Sequence, residues 1–232
     1  LSPEYSIEQT KKETYNQIVP VLGLLNEEIQ VIGTAIVLKC GLIITAAHTF
    51  YNEVKEEGLV ICASRKDEVF EIEVNNKRFA LGEPLYERYS WDYKTIVDET
   101  YHDLSIFKLP EGLMIESKLA LDNFIEDGHM VIKGFPNTNN QIETQSCDID
   151  NRAYSIRTYQ KQPTIRKRFT NCFHIRQSFQ TGFSGGPILL DGNKVVGMVV
   201  YGDTNPSTFG GTTAIKAIHI FEILSKFINL SK

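Results

Sequence analysis

Along most of this 232-residue chain the apolar positions fall in short runs divided by glycine, proline, asparagine and charged residues. That grouping predicts strands joined by turns, because helices show longer stretches with apolar residues three and four apart. Residues 31–32, 34–38 and 42–45 read as successive strands, punctuated by Gly33-Thr34-Ala35 and Cys40-Gly41. Residues 59–63, 69–74 and 104–109 continue the series, and 130–133 runs into the turn Gly134-Phe135-Pro136. Residues 188–190 and 195–201 form a hairpin about Asp191-Gly192-Asn193-Lys194, a sequence suited to positive φ, and 212–216 is the last strand. The two ends differ. Residues 2 to about 17 read as a helix, with Ser2 as cap, Pro3 in the first turn and good helix formers from Glu8 to Glu13. Ile220, Phe221, Leu224, Phe227 and Ile228 recur at helical spacing, which predicts a closing amphipathic helix. Residues 80–103, with six carboxylates, several tyrosines and Trp91, read as an ordinary surface loop, with a loop bordering a cleft as the sharper alternative.

Composition narrows the class. With 42% hydrophobic and 23% charged residues the chain has material for a sizeable core. No apolar run approaches the roughly 20 residues that a spanning helix needs. A net charge of −5 argues against general nucleic-acid binding, which requires concentrated Lys and Arg. One stretch opposes that balance: Arg152, Arg157, Lys161, Arg166, Lys167, Arg168 and Arg176 stand with no acidic residue among them. A solvated loop and strand is the plain reading, and a docking loop for an acidic partner the sharper one. The histidines at 48, 102, 129, 174 and 219 are isolated and no C-x-x-C occurs, so neither a zinc site nor another cofactor is expected. The chain opens on Leu1-Ser2-Pro3 without a basic stretch leading into an apolar one; the expectation is a piece of a longer polypeptide, with no secretory leader in it.

The chemistry gathers at Thr181-Gly182-Phe183-Ser184-Gly185-Gly186-Pro187. Glycines allow a sharp turn and close approach, so a serine set among them is presented rather than buried. The same turn can aim the N–H groups of Gly182 and Ser184 at one point, where a tetrahedral intermediate would carry its oxyanion. A hydroxyl nucleophile needs an imidazole to take its proton, and the imidazole needs a carboxylate to fix its tautomer. Thr45-Ala46-Ala47-His48 and Asp103-Leu104-Ser105-Ile106-Phe107-Lys108-Leu109 supply both, 55 residues apart and with Asp103 81 residues before Ser184.

Three such motifs in the order His, Asp, Ser resemble those of the chymotrypsin-like (trypsin-fold) serine peptidases, over roughly residues 29 to 220. The resemblance implies an all-β fold of two six-stranded antiparallel β-barrels, to which the residue pattern adds the N-terminal and C-terminal helices. The expected division is a helical extension over 1–20, a first barrel over 21–112 with His48 and Asp103, a linker and second barrel over 113–216 with Ser184, and the helix at 217–232, all one peptidase unit. His48 would be the base, Asp103 its orienting carboxylate, Ser184 the nucleophile, and Gly182 and Ser184 the oxyanion donors. The implied partner is a protein or peptide substrate.

Departures from the family pattern carry their own expectations. Digestive members have Asp before the serine, as part of a zymogen switch; here Phe183 stands there, so activity would be constitutive or controlled by a partner, a loop or an appended domain. Secreted members bridge a cysteine placed directly after the histidine, but position 49 is Thr. Cys40, Cys62, Cys147 and Cys172 are therefore expected to be reduced and mostly buried, in a cytoplasmic setting. The candidate pocket positions for the residue before the scissile bond are Ser178, Thr181, Val199, Tyr201, Gly202 and Gly211. Ser178 at the floor does not indicate basic selectivity, Val199 removes the histidine of Glu-selective relatives, and Gly202 and Gly211 leave room for an apolar or aromatic side chain, although Asp203 at the mouth pulls the other way. The implied activity is a serine endopeptidase of narrow specificity. The rival from another class, a trypsin-fold binding module without turnover, would normally lack one triad residue, and this chain keeps all three.

Overall fold

The computed structural model describes residues 17–56, 59–65, 67–89, 100–123, 129–136, 140–150, 155–156, 165–166, 169–203 and 211–228. The helix expected over residues 2–17 lies outside them but for Gln17, as do most of the basic residues between 152 and 168. The first half contains β1 (Ile18–Leu25), β2 (Glu28–Val37), β3 (Leu42–Thr45), β4 (Tyr51–Glu56), β5 (Leu59–Ser64), β6 (Glu71–Val74), β7 (Lys77–Ala80), β8 (Tyr86–Tyr89) and β9 (Asp103–Lys108). The second contains β10 (Ala120–Leu121), β11 (Met130–Gly134), β12 (Glu143–Ser146), β13 (Ile149–Asp150), β14 (Ser155–Ile156), β15 (Ile165–Arg166), β16 (Cys172–Ile175), β17 (Pro187–Leu190), β18 (Lys194–Asp203) and β19 (Gly211–Lys216), followed by the helix α1 (Ala217–Ile228).

Hydrogen bonding assembles these strands into a seven-stranded sheet, ordered β7-β6-β1-β2-β3-β9-β8, and an eight-stranded one, ordered β12-β11-β17-β18-β19-β16-β13 with β10 alongside β18. The pairs β4-β5 and β14-β15 stand as separate hairpins. The fold is the two-barrel, mostly β arrangement that the motifs imply. The sheets have seven and eight strands where six were expected in each: a hairpin turn at Asn75-Asn76 adds β7 as an edge strand of the first, and the second includes β10 from the linker, which pairs parallel to β18, and the two-residue strand β13 at its edge. The separate short strands expected at 31–32 and 34–38 are one long strand, β2. It keeps pairing with β1 through a register shift between Val21 and Leu22, where two residues of β2 face one of β1. Turn chemistry explains the hairpins: Asn75 and Asn76 take φ of 51° and 59°, and Asp191-Gly192 takes 50° and 89°, the left-handed values that a tight hairpin turn requires.

Three apolar clusters fill the interior. Val19, Ala35, Ile43, Phe50 and Phe107 pack within the first sheet, and Ile132, Ile175, Phe183, Ile188 and Val199 within the second. The largest joins Ile36, Ile44 and Ile106 of the first sheet to Leu189, Met198 and Ile215 of the second and to Ile220 and Leu224 of α1. This shared core fixes one sheet against the other, so residues contributed by both can form one site. In α1 the expected stripe holds at Ile220 and Leu224, with Phe227 and Ile228 half-buried against the same core. Phe221, expected in the stripe, is instead 51% exposed, and Ile223 is buried. Two barrel-facing positions three and four apart from Ile220 suffice to seat a helix this short on the shared core.

Candidate active site

β3 ends at Thr45 and the chain enters a single 3-10 turn, Ala47–Phe50, that carries His48. β3 pairs with β9 with Thr45 opposite Ser105. Continuing that register sets Asp103, the first residue of β9, level with Ala47. The His48 N–H donates to Asp103 Oδ1 at 2.8 Å, and His48 Nδ1 meets Oδ2 at 2.7 Å. An ionised carboxylate can only accept, so the imidazole proton sits on Nδ1 and Nε2 is left as the acceptor. Asp103 is fully buried while His48 keeps 30% of its side chain exposed. Desolvation pushes the His48 pKa down, but the charge and hydrogen bond of Asp103 outweigh it and raise the pKa above 6.5. Asn171 sets the backbone leading into Asp103: its Oδ1 accepts the Tyr101 N–H at 2.9 Å and its Nδ2 donates to the Tyr101 carbonyl at 2.7 Å.

A second group of side chains backs the histidine. β8 pairs with β9, with Tyr89 opposite Asp103 and Glu87 opposite Ser105. The Tyr89 ring lies 6.1 Å from that of His48 and 5.2 Å from that of Tyr51. Glu87 accepts from the Tyr51 hydroxyl at 3.0 Å and from the buried Ser105 hydroxyl at 3.1 Å. Burial and the Glu87 charge push the Tyr51 phenol up to about 12, so it remains a donor at any working pH. Residues 86–89 of the supposed surface loop are thus an ordered strand at the edge of the site.

The Ser184 loop comes from the other sheet. Gly182 and Gly185 have φ of 103° and 86°. A Cβ on Gly185 would come within 1.9 Å of the Thr34 carbonyl, and one on Gly186 within 2.3 Å of the Lys133 carbonyl. Only glycine fits this packing of loop against two strands. Phe183, where the zymogen-switch aspartate of digestive relatives stands, is buried, with its ring 5.3 Å from Phe179 and close enough to Gly134 that a Cβ there would lie 2.7 Å away. An apolar plug therefore anchors the loop in place of an ion pair.

Thr34, on β2, ties the loop to the first sheet. Its N–H donates to the Ser184 carbonyl at 2.8 Å, its hydroxyl donates to the Gly182 carbonyl at 2.7 Å, and the same oxygen accepts the Phe135 N–H at 3.0 Å. Gly33 lies between the two halves of the site: a Cβ there would meet Thr49, the neighbour of His48, at 3.1 Å and the Ser184 carbonyl at 3.4 Å. Within the loop, Phe183, Gly185 and Gly186 spend their N–H groups on the carbonyls of Gln180, Val199 and Phe183. Among the described residues, the N–H groups of Gly182 and Ser184 have no such partner. Nor does a hydrogen bond join the Ser184 hydroxyl to the His48 ring, a contact that in sites without substrate is often long and tightens on binding.

The pocket candidates divide. Ser178 is exposed and its hydroxyl accepts the Gly211 N–H at 2.9 Å; Thr181 is exposed at the loop entrance. Val199 is buried in the second-sheet cluster rather than open to a cleft. Tyr201 and Gly202 lie on β18, opposite Thr213 and Thr212. Gly211, with φ of 101°, backs onto the Ile175 carbonyl and the His174 ring, which a Cβ would meet at 2.4 and 2.8 Å. Backbone conformation and packing against β16 therefore suffice to demand glycine at 211. All four cysteines are free, with Cys147 and Cys172 buried, Cys62 half-buried and Cys40 exposed. Among the described residues no helix is long and apolar enough to cross a membrane.

Two antiparallel sheets sharing a core, with a His–Asp pair on one and a glycine-bound serine loop on the other, define a serine peptidase of the two-barrel class. The chain belongs to the trypsin family: the family profile described as Trypsin matches residues 8–220. Solved structures with this fold include the Rv3671c protease of M. tuberculosis in its active form, at 17% identity and a TM-score of 0.63 over 97% of this chain and 86% of that one. Its inactive form gives 18% and 0.57 over 97% and 96%, and the MamO protease domain of Magnetospirillum magneticum, apo form, gives 13% and 0.57 over 89% and 95%. No curated protein matches the sequence.

Thr34, Asn171, Glu87, Tyr89 and Tyr51 escaped the sequence reading. Their roles depend on which strands lie side by side; the faint local signals were Gly33-Thr34 in a strand and, for Glu87 and Tyr89, the run of carboxylates and tyrosines over 80–103 that raised a cleft-bordering loop as the alternative.

Proposed function

We propose that Ser184, His48 and Asp103 form the catalytic triad of an endopeptidase acting on protein substrates. The observation that carries this is the doubly bonded His48–Asp103 pair, facing a serine loop that Thr34 holds from the same sheet. As Ser184 Oγ bonds to the substrate carbonyl carbon, its proton passes to His48 Nε2, and the carbonyl oxygen becomes an oxyanion. The N–H groups of Gly182 and Ser184 stabilise that charge. Collapse returns the proton from His48 to the leaving amine and leaves an acyl-enzyme. Water, deprotonated by His48, then releases the acid and restores Ser184.

Selectivity is narrow in this reading, with an apolar or aromatic residue favoured before the scissile bond, since Ser178 supplies no carboxylate for a basic one. Without the zymogen switch, control rests with a partner, a loop or an appended domain. The free cysteines support a reducing, cytoplasmic compartment. The test is digestion of a panel of unfolded proteins by wild type and by Ser184→Ala, His48→Ala and Asp103→Asn, each checked for retained fold. Wild type is expected to cleave and Ser184→Ala to be inert. Asp103→Asn is expected to lose on the order of 10⁴-fold in kcat, the scale set by a wrong imidazole tautomer. Unchanged cleavage by Ser184→Ala would remove the assignment. Absence of cleavage in every form, alongside tight binding of an intact protein, would favour the binding-only reading.

A further inference from the structure

The β1–β2 hairpin leaves the shared core and carries apolar side chains into solvent. Leu24 and Ile29 are paired across it and are 50% and 51% exposed, while Leu22 and Val31, one step inward on the same face, are buried. β6 pairs with β1 on the other side, Leu22 opposite Glu71. Continuing that register sets Val69, 72% exposed, level with Leu24; Gly23 confirms the alignment, since a Cβ there would touch the Phe70 ring at 3.2 Å. Directly opposed residues of an antiparallel ladder share a face. Val69, Leu24 and Ile29 therefore form one apolar row across three adjacent chain segments. Single exposed apolar side chains need no explanation, but a contiguous row marks an interaction site.

The rim of the row is acidic. Glu27 is exposed at the hairpin tip, Asp67 is exposed two residues from Val69, and Glu71 is half-buried opposite Leu22 on the same face, whereas Glu28, opposite Leu25, belongs to the other face. The cation found here among the described residues, Arg65, is already committed: it donates to the Leu24 carbonyl at 2.6 Å and pairs with Glu68. Apolar centre and carboxylates with no paired cation among the described residues together fit an extended segment with alternating apolar and basic residues, and they repel an anionic lipid surface or an acidic peptide. Ile29 is five residues along β2 from Thr34, roughly 17 Å at about 3.3 Å per residue, and the Thr34 N–H is bonded to the Ser184 carbonyl. A substrate held there needs only about five extended residues between the docked segment and the scissile bond.

We infer that the row Val69–Leu24–Ile29, with its acidic rim, is a docking surface for a basic, apolar extended segment of a protein substrate, distant from the scissile bond. The inference rests on the peptidase reading above, so binding is measured apart from catalysis. The probe is a labelled peptide of alternating lysine and leucine, titrated by fluorescence anisotropy into the Ser184→Ala protein, with a glutamate–leucine peptide as control. Saturable binding that weakens with salt is expected. It should fall at least tenfold both in Leu24→Ser/Ile29→Ser and in Glu27→Lys/Asp67→Lys, with no binding of the acidic peptide. Equal binding by the unaltered and altered surfaces, or by both peptides, would overturn the site. Self-association of the unaltered chain that vanishes in Leu24→Ser/Ile29→Ser, seen by sedimentation velocity, would overturn it too, in favour of a second copy. In an otherwise wild-type chain, Leu24→Ser/Ile29→Ser should react with a fluorophosphonate at the unaltered rate, yet cleave proteins bearing such a segment at least fivefold more slowly. Loss of both would point to the triad assignment or folding instead.

Discussion

His48 carries the clearest residue-level consequence. It must be neutral to accept the Ser184 proton, and Asp103 raises its pKa despite the opposing cost of burial. The acid limb of kcat/KM should therefore lie above pH 6.5, the ordinary imidazole value. Asp103→Asn should bring that limb down, whatever residual rate remains. The same shift makes a stability statement: a histidine whose folded pKa is raised stabilises the fold fully below its unfolded pKa, and loses that contribution as pH rises through the folded one. The Tyr89 ring packs against both His48 and Tyr51, and its removal should loosen the imidazole. Tyr89→Ala should lower kcat more than it raises KM; equal rates for Ala and Tyr at 89 would contradict this. Thr34→Val tests the clamp. It leaves the Gly182 carbonyl and the Phe135 N–H without their partner, costing about 1–3 kcal/mol in denaturant unfolding, with a loss of kcat beyond what the stability change explains.

At the scale of elements, the chain shows which features are local and which are not. The β17–β18 hairpin was legible because Asp191-Gly192 states its own backbone conformation, and α1 because its spacing matches its buried side. β7 and β8 were not. Their apolar positions are few, both lie at sheet edges with much of their surface in water, and a half-exposed edge strand has almost no hydrophobic pattern to read. β8 nonetheless delivers Glu87 and Tyr89 to the site. The close approach of β2 to the turn carrying His48 offers a test of the whole arrangement. A Cβ on Gly33 would lie 3.1 Å from both γ atoms of Thr49, a spacing that suits a bridge. Gly33→Cys/Thr49→Cys should form a disulfide on oxidation and add up to about 3 kcal/mol, the entropy of closing a short loop, reversed by reductant. Failure to oxidise would mean that β2 and the histidine turn are not held as described.

Over the whole molecule, the proposed catalytic groups come from two sheets that meet through a shared core and a few polar ties. The residues of the proposed triad were legible because each sits in a short motif whose glycines and small residues state the local geometry. The parts that hold them together were not: Thr34 reaches Gly182 across 148 positions, and Asn171 reaches Tyr101 across 70. Such ties leave no periodic trace in a sequence. Phe183 shows the same limit in another form, for its identity told of a missing ion pair but not of the apolar plug that replaces it. The proposed activity requires that this two-sheet assembly present an activated Ser184. The direct measurement is intact-mass spectrometry of the protein after timed exposure to a fluorophosphonate, beside Ser184→Ala and Thr34→Val. One adduct on the wild type, none on Ser184→Ala and slowed labelling of Thr34→Val are expected. No adduct on the folded wild type, or one that persists in Ser184→Ala, would contradict the account.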